Sequence, residues 1–450
     1  MLRVAVVGSG PAGVYATGAL TDHGEVSVDV IDRVPCPYGL VRYGVAPDHP
    51  KIQSISETLR AVLDDPAVRF LGNVDVGSQL SVADLHQHYD AVIFAVGSAI
   101  DRRLGIAGED LAGSFSATDF VAWYCGHPDA PLDRFTLSVR SVAVIGAGNV
   151  ALDVARIVAR SAPDLEPTDM PDQALGVLRL STVQDIHVIA RRGPAQAKFT
   201  TKELREMGDL SNTDVLVHAS ELEVDEAGQA LADTQPRVRR NLTVLQEWAQ
   251  RRPAGNPRRL HLHFLLRPVE ILGDSAVRAV RVERTQLDSA GNAVGTGRTW
   301  TIDAQLVLRS VGYRGSPLPG VPFDHEAGVI PHRAGRVLRD ASVVPGEYVA
   351  GWAKRGPTGV IGTNRHDATE TVTSLLEDVP LLPPAPQRDP DAILELLERR
   401  GAHVVTWEGW QAIEHAEREL GRTLGRQRSK ITDRAALLAA ADGSSVPSTD

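Results

Sequence analysis

The chain has 450 residues, which is too long for one compact core and favours two domains. Its 43% hydrophobic and 23% charged residues are typical of a globular protein, and no apolar run is long enough to cross a bilayer. The formal net charge of −10 gives no general reason to expect a nucleic-acid partner. The first residues lack a signal-peptide pattern, which favours the cytoplasm.

A glycine motif opens the chain. The stretch "VAVVGSGPAG" follows an apolar strand and begins a helix of small residues, and a second strand, "VSVDVID", ends at Asp32. Gly8, Gly10 and Gly13 have the spacing at which backbone N–H groups and a helix N-terminus bind a pyrophosphate. Asp32 follows Gly13 by nineteen residues and is placed to accept hydrogen bonds from a ribose. The pattern predicts a dinucleotide-binding βαβ unit rather than a merely structural turn.

An irregular stretch comes next, "RVPCPYGLVRYGVAPDHPK", which contains four prolines and is predicted to be a functional loop. A helix is predicted near residues 51 to 63. The segment "YDAVIFAVGSAI" then predicts a buried strand that ends at Gly97.

A second glycine motif, "VAVIGAGNVA", has Gly146 and Gly148 but carries Ala151 at the third position, a variant that the dinucleotide fingerprint allows. The strand "DIHVIARRG" ends at Arg191 and Arg192, where an NAD site would offer an acid. Two guanidinium groups suit a 2′-phosphate, so NADP(H) is favoured over NAD(H). The alternative is a solvated arginine pair that closes the strand.

Residues 215 to 310 alternate between apolar and polar side chains and predict an antiparallel sheet beside the second motif. His261 and His263 fall on one face of a predicted strand in this region. The sequence offers no further ligands at suitable spacing, so no metal site is predicted.

The predicted fold class is α/β, with two interleaved Rossmann-like dinucleotide-binding domains and a C-terminal helical extension. A discontinuous domain comprises residues 1–102 and 321–378, and the second domain is inserted at 103–320. Residues 379–450 contain a proline-rich spacer, "VPLLPPAPQRDP", and helices predicted to pack on the first domain. The tail "ADGSSVPSTD" is expected to be frayed.

Two nucleotide cradles indicate two dinucleotides, a flavin held in the first and a nicotinamide that exchanges in the second. Cys36 and Cys125 form no Cys-x-x-Cys pair, which speaks against a flavoprotein disulfide reductase. An NADPH-dependent quinone reductase or a flavin monooxygenase stays open. A non-enzymatic alternative is a redox-sensing dinucleotide-binding module.

Several longer stretches resemble the adrenodoxin reductase-like family of ferredoxin–NADP reductases. They are "PYGLVRYGVAPDHPK", "IGAGNVALDVAR", "RRGPAQAKFTTKELREM", "RSVGYRG" and "GWAKRGPTGVIGTNRHDA". The resemblance implies a flavoprotein that takes a hydride from NADPH onto FAD and passes single electrons to a ferredoxin-type iron–sulfur protein.

The resemblance also implies site residues. FAD contacts are expected at the first glycine motif, including Ser9 and Ala12, and at Asp32, Leu40, Val76, Trp352, Gly359, Val360 and Ile361. NADP(H) contacts are expected at the second glycine motif and at Arg102, Asn149, Val150, Arg191, Arg192 and Glu203, with Gly359 close to both cofactors.

Two further positions, His49 and Glu206, match residues near the reacting rings in the family and imply catalytic roles in hydride or proton movement. By itself, His49 is a histidine between prolines in a turn. Glu203 has an alternative interpretation of its own, because "FTTKELREM" is also a good capped helix start.

A basic surface is predicted between Arg237 and Arg259, where seven arginines face one acid, Glu247. Such a surface would steer an acidic ferredoxin through weak, salt-sensitive contacts. The alternative is a solvated helix and loop surface. The candidate docking residues are Arg237, Arg239, Arg240, Arg251 and Arg252.

Overall fold

The computed structural model describes residues 1–98 and 100–444. Most of the tail expected to be frayed, residues 445–450, lies outside the described residues. The chain divides into two compact units. The first unit contains Met1–Ile100, Cys125–Asp129 and residues 313–444, and the second contains Asp101–Tyr124 and Ala130–Gly312.

The strands, in chain order, are β1 (Leu2–Val7), β2 (Val26–Ile31), β3 (Val68–Leu71), β4 (Ala91–Phe94), β5 (Ile100–Asp101), β6 (Ser114–Ser116), β7 (Ser141–Ile145), β8 (Asp185–Ile189), β9 (Thr213–Val217), β10 (Arg258–His263), β11 (Leu266–Gly273), β12 (Val277–Leu287), β13 (Ala293–Asp303), β14 (Leu306–Arg309), β15 (Tyr313–Arg314), β16 (His332–Arg333), β17 (Arg336–Arg339) and β18 (Ser342–Val349).

The α-helices are α1 (Pro11–Thr21), α2 (Leu40–Tyr43), α3 (Pro50–Gln53), α4 (Ile55–Leu63), α5 (Val82–His88), α6 (Ala117–Tyr124), α7 (Asn149–Ala159), α8 (Ala162–Leu165), α9 (Asp172–Arg179), α10 (Thr201–Gly208), α11 (Glu226–Thr234), α12 (Pro236–Ala249), α13 (Trp352–Arg355), α14 (Thr363–Asp378), α15 (Ala392–Arg399), α16 (Trp407–Thr423) and α17 (Arg434–Ala441). Among the described residues, no helix is both long and apolar enough to span a bilayer.

The first unit is built on a sheet with strand order β16-β17-β18-β4-β1-β2-β3. Strands β18, β4, β1, β2 and β3 run parallel, and the β16–β18 edge is antiparallel. The apolar runs of β1, β2 and β4 are buried throughout or nearly so, as expected for strands covered on both faces. The carboxyl ends of β18, β4, β1 and β2 therefore meet at one edge, where ligands of open α/β sheets bind.

The second unit has a parallel sheet with strand order β6-β14-β7-β8-β10-β9 and a separate antiparallel sheet, β11-β12-β13. The prediction of one antiparallel sheet over residues 215 to 310 is wrong for β9, β10 and β14. Strand β10 pairs in parallel with both β8 and β9, and β14 pairs in parallel with β6 and β7. The alternation that prompted it is real: Leu260 and Leu262 point into the core, and histidines occupy the other face. Alternation alone does not reveal strand direction when the partner strand is distant in sequence.

The segment Cys125–Asp129 belongs to the first unit, whereas the sequence boundaries put it in the inserted domain. The thiol of Cys125 donates to the Val45 carbonyl oxygen at 3.4 Å, and the rings of His127 and Tyr43 lie 4.8 Å apart. The second unit also ends at Gly312 rather than at residue 320.

The C-terminal helices share a hydrophobic core with the sheet of the first unit. Trp410 and Ile413 of α16 and Leu437 of α17 are fully buried in the same cluster as Val4 and Val28. A buried ion pair between Arg42 and Glu417 of α16 reinforces this packing.

Candidate functional site

In the first unit, the glycines of the turn after β1 have different tasks. Gly8 has φ +111°, and a Cβ there would lie 2.5 Å from the Ala95 carbonyl oxygen. A Cβ on Gly13 would lie 1.8 Å from the Gly8 oxygen, so the start of α1 packs directly on the turn. Gly10 is different, because a Cβ there would meet nothing closer than 4.0 Å. Gly10 therefore leaves space over the α1 N-terminus, which has no side-chain cap.

Asp32 is held by the same turn. Its Oδ2 accepts hydrogen bonds from the backbone N–H of Ser9 at 2.8 Å and from the Ser9 hydroxyl at 2.5 Å, and its Oδ1 accepts from the Val34 N–H at 3.1 Å. Ser9 is fully buried, whereas Asp32 is half-buried. The carboxylate thus fastens the turn to the end of β2 and keeps lone pairs for a ribose hydroxyl.

The helix α14 contributes a second N-terminus to this unit. Gly351, with φ +73°, brings the end of β18 so close to α1 that its Cβ would lie 2.4 Å from the Cβ of Ala12. Its N–H donates to Asp367 in the first turns of α14. The half-buried Trp352 follows, with its indole N–H bonded to the Thr358 oxygen at 3.2 Å. Gly351 was not among the residues picked out from the sequence, although a glycine after a buried strand was a usable signal.

Several apolar side chains at this edge are exposed to solvent. Leu40 and Val96 are exposed, and Val360, just before α14, is 66% exposed. Ile361 is half-buried, and Val76 is buried in the core cluster with Leu80. Exposed apolar groups beside uncapped helix N-termini suit a ligand with a flat apolar ring and a charged pyrophosphate, so the residues present fit FAD.

The loop after β2 is anchored by the C-terminal helix α16. Glu417 accepts two hydrogen bonds from the Arg42 guanidinium, one of them at 3.0 Å, and both side chains are almost completely buried. The Arg42 guanidinium carbon also lies 5.1 Å from the centre of a Trp410 ring, and the Lys430 amine donates to the Arg42 carbonyl oxygen at 3.0 Å. This anchor was not predicted from the sequence, since its partners are 375 residues apart.

Two other groups in the loop are buried. His49, at the start of α3, is only 6% exposed. Burial raises the pKa of the Cys36 thiol to about 11, so this cysteine stays protonated at neutral pH.

The second unit has a corresponding turn after β7. Gly146 has φ +153°, and a Cβ there would lie 2.2 Å from the Ser310 oxygen, whereas a Cβ on Gly148 would meet nothing within 4 Å. Ala151 is fully buried. The α7 N-terminus behind Gly148 has no side-chain cap, so a pyrophosphate fits here as well.

Helix α10 is joined to this turn at its start. The Asn149 side-chain oxygen accepts from the Thr200 N–H at 2.8 Å, and the Ala147 oxygen accepts from the Lys198 N–H at 2.8 Å. One turn later Glu203 is 8% exposed, and within the described residues its Oε2 has no hydrogen-bond partner. An orphaned buried carboxylate oxygen fits a hydroxyl or amide donor from a ligand.

The two arginines after β8 are available to solvent. Arg191 is exposed and Arg192 is half-buried. Their backbone is fixed, because the Arg191 oxygen accepts from the Thr285 hydroxyl at 2.7 Å and the Arg192 oxygen from the Leu265 N–H at 3.1 Å. Neither guanidinium has an ion-pair partner in residues 1–98 and 100–444, which fits a site for a phosphate.

Glu206 lies on the same face of α10 as Lys202, with the amine and carboxylate 3.8 Å apart, and 3.7 Å from the buried Arg156 guanidinium. An open cavity of about 600 Å³ adjoins it. All of its lining residues are polar or charged: Thr200, Thr201, Lys202, Arg205, Glu206, Asp209, Arg237 and Arg240. Of the remaining sequence candidates, Arg102 is exposed and Val150 is half-buried.

The predicted basic surface is smaller than the sequence indicated. Arg237 is half-buried and donates to the Ala197 and Phe199 carbonyl oxygens at 2.9 and 3.0 Å, so it fixes the loop before α10 instead of facing a partner. Arg258 similarly donates to the Ala159 oxygen, and Arg259 pairs with Asp185. The exposed arginines that are left are Arg239, Arg240, Arg251 and Arg252.

A third histidine, which the sequence pattern did not associate with His261 and His263, lies beside them. Parallel pairing of β8 and β10 puts His187 directly opposite His261. The three imidazoles therefore lie together on one face of the sheet.

Comparison with known proteins agrees with this arrangement. Residues 2–208 match the family model described as pyridine nucleotide-disulphide oxidoreductase. The NADPH-ferredoxin reductase FprA of Mycobacterium tuberculosis is 43% identical over 97% of this chain and 98% of its own length. The mitochondrial NADPH:adrenodoxin oxidoreductase of Arabidopsis thaliana is 39% identical over 98% of this chain and 95% of its own length.

A solved structure of Mycobacterium tuberculosis FprA in complex with NADPH superposes with a TM-score of 0.92 at 43% identity, covering 98% of this chain and all of that one. The predicted fold class is thereby confirmed. The chain belongs to the adrenodoxin reductase-like family of ferredoxin–NADP reductases.

Proposed function

We propose that this protein is an FAD-dependent NADPH–ferredoxin reductase. The observation that carries the proposal is the presence of two open glycine turns, one in each unit, in a chain whose full-length relatives are named as reductases of this kind. Bound FAD would accept a hydride from NADPH and return the two electrons singly to a ferredoxin-type iron–sulfur protein.

The first unit would hold FAD. The pyrophosphate would bind at Gly10 and the α1 N-terminus, and Asp32 would accept a hydrogen bond from a ribose hydroxyl. The flavin ring system would be covered by Leu40, Val360 and Ile361. Trp352, Gly359 and the backbone of Val76 would lie around it. The uncapped N-terminus of α14 favours negative charge nearby, and so would stabilise a reduced flavin.

The second unit would bind NADP(H). Gly148 and the α7 N-terminus would receive its pyrophosphate, with Asn149 and Val150 in the first turn. Arg191 and Arg192 would bind the 2′-phosphate, and the orphaned Glu203 oxygen would accept a hydrogen bond from the nucleotide. Arg102 is an additional cation for the phosphates.

His49 and Glu206 are the proposed catalytic residues of the reaction. The support is their match to family positions, together with the burial of His49 and the Arg156 pairing of Glu206. Stopped-flow reduction of the flavin by NADPH tests both: His49→Gln and Glu206→Gln should slow the reduction at saturating NADPH. Unchanged limiting rates would remove them from the mechanism.

The purified protein tests the function as a whole. It should carry a visible flavin spectrum that NADPH bleaches, and it should reduce cytochrome c rapidly only when a ferredoxin is added. A flavin spectrum that NADPH does not bleach would favour the redox-sensing module. Rapid reduction of quinones with no stimulation by any ferredoxin would favour a quinone reductase.

The proposed docking surface for the ferredoxin consists of Arg239, Arg240, Arg251 and Arg252, on α12 and the loop after it. A double variant, Arg251→Ala/Arg252→Ala, should raise the KM for ferredoxin and flatten its dependence on salt. The matched control removes two exposed arginines from β12 and β13, Arg278→Ala/Arg298→Ala. Equal effects in both double variants would indicate bulk charge and not a docking surface.

A further inference from the structure

The histidines of β8 and β10 form a compact cluster that the proposed reaction does not use. His187 and His261 are direct neighbours in the parallel register, and His263 lies two residues further along the same face. The three imidazoles offer ligand atoms that lie within 4.8 Å of one another. Among the described residues this is the one group of three histidines, cysteines or acids so arranged.

We propose that His187, His261 and His263 bind a borderline divalent transition cation, with Zn²⁺ as the reference ion, and so clamp β8 to β10. Three imidazoles with one open position are a ligand set that Zn²⁺ accepts. The His261 and His263 side chains are largely covered but keep 17% and 11% of their surface exposed, through which water can supply the fourth ligand.

Carboxylates behind two of the rings select the nitrogen that faces the cluster. Asp185 accepts from His261 Nε2 at 3.1 Å, which leaves Nδ1 of that ring as the ligand atom. Glu221 lies 3.5 Å from His263 Nδ1, which leaves Nε2 of that ring as the ligand atom. This same Nε2 is 3.1 Å from His187 Nδ1. Hydrogen bonding of a ligand histidine to an outer carboxylate is the usual way in which zinc sites orient the imidazole.

The carboxylates are themselves fixed. Asp185 receives two hydrogen bonds of 2.6 Å from the Arg259 guanidinium, and Glu221 receives the Phe264 N–H at 2.9 Å. Binding requires the rings to rotate as well as to approach one another, because their planes lie within 17° of parallel and a metal lies in the plane of each imidazole that ligates it. Ligand nitrogens around Zn²⁺ lie about 3.3 Å apart at tetrahedral geometry.

The alternative is a metal-free stack joined by an N–H···N bond between His187 and His263.

The test uses the tag-free, FAD-loaded protein, first stripped of metal with a chelator and then dialysed against Zn²⁺. The wild type should retain one Zn²⁺ per chain and show a higher Tm with the ion than without it. The variants His187→Ala and His261→Ala should bind Zn²⁺ at least about 100-fold more weakly and lose the Tm shift. Asp185→Asn should weaken binding by about 10- to 100-fold.

The matched control is His23→Ala, which removes an exposed histidine from the other unit and should bind Zn²⁺ as the wild type does. Flavin content and circular dichroism verify that the variants are folded, and His187→Gln replaces His187→Ala if the latter is not. Zinc retention by both folded variants, or no zinc retained by the wild type, would overturn the proposal and leave the metal-free stack. Neither result depends on whether the protein reduces ferredoxin.

Discussion

The two glycine turns share one plan, but their third positions differ. In the first unit a Cβ on Gly13 would lie 1.8 Å from the Gly8 oxygen, so the helix start and the turn are in contact. In the second unit a buried Ala151 is accommodated at the same position. The first turn is thus packed more tightly, and it tolerates no side chain where the second holds a methyl group.

The strand ends that follow differ in charge. Asp32 accepts hydrogen bonds from Ser9, whereas Arg191 is exposed and presents a cation. A turn tied together by its own carboxylate suits a cofactor that stays bound. An exposed cation suits a phosphorylated ligand that exchanges. The difference therefore supports the proposed assignment of FAD to the first turn and NADP(H) to the second.

A third difference is the anchor supplied by α16, and removing it should have the largest effect. Glu417→Ala leaves the buried Arg42 guanidinium without its partner, so the free energy of unfolding should fall by about 3 to 5 kcal/mol. Urea denaturation measures the loss, and FAD content per chain should fall with it because the loop after β2 loses its support. Glu417→Gln keeps an acceptor for the Ile431 N–H and should lower the free energy of unfolding by less than Glu417→Ala does. A fall below about 1 kcal/mol for Glu417→Ala would show that α16 does not stabilise the loop.

The third glycine position itself provides a reciprocal test. Gly13→Ala forces a methyl group against the Gly8 oxygen. It should lower the free energy of unfolding by about 3 kcal/mol and cause loss of bound FAD. Ala151→Gly replaces a helical alanine with the more flexible glycine. It should lower the free energy of unfolding by about 0.5 to 1 kcal/mol, with NADPH binding retained. Thermal unfolding and flavin content distinguish the two. Similar costs in both variants would contradict the difference in packing.

Much of this fold could be predicted from local patterns. Both strand–turn–helix motifs, the acid at the end of β2 and the arginines at the end of β8 were correctly placed, because each depends on residues close together in sequence. The family prediction is confirmed for the same reason, since its motifs extend over most of the chain.

The parts that could not be predicted depend on distant pairings. The Arg42–Glu417 bond joins residues with no common sequence pattern, and His187 meets His261 only through the register of two parallel strands. Arg237 shows a related limit: its charge suggested a surface role, while its guanidinium bonds two backbone carbonyls. Charge and spacing indicate which groups are present, but not which neighbours satisfy them.

Replacing Arg191 and Arg192 tests the proposed NADP(H) site of the second unit. Arg191→Ala/Arg192→Ala would remove the proposed charge-assisted hydrogen bonds to the 2′-phosphate, so the KM for NADPH should rise about 100-fold, equivalent to about 2.7 kcal/mol. The KM for NADH, which lacks this phosphate, should change little. Steady-state reduction of ferricyanide by each nucleotide measures both, with Arg298→Ala as a control. Equal increases for the two nucleotides would mean that the pair does not recognise the 2′-phosphate.

The smallest expected effect concerns pH and the first unit. Burial lowers the pKa of His127, packed against Tyr43, to about 4, with Asp129 opposing the shift and Arg33 and Arg434 adding to it. The folded state therefore keeps this ring neutral. Its stability contribution is complete above the unfolded pKa of about 6.5 and is lost as the pH falls towards 4, amounting to about 1 kcal/mol between pH 7 and 5.5. Denaturant unfolding at these two pH values measures the loss, which His127→Phe should reduce because a phenyl ring cannot take up a proton. If the variant loses as much stability between the two pH values as the wild type, the acid sensitivity belongs to other groups. One of them is His187 of the second unit, whose pKa is also lowered.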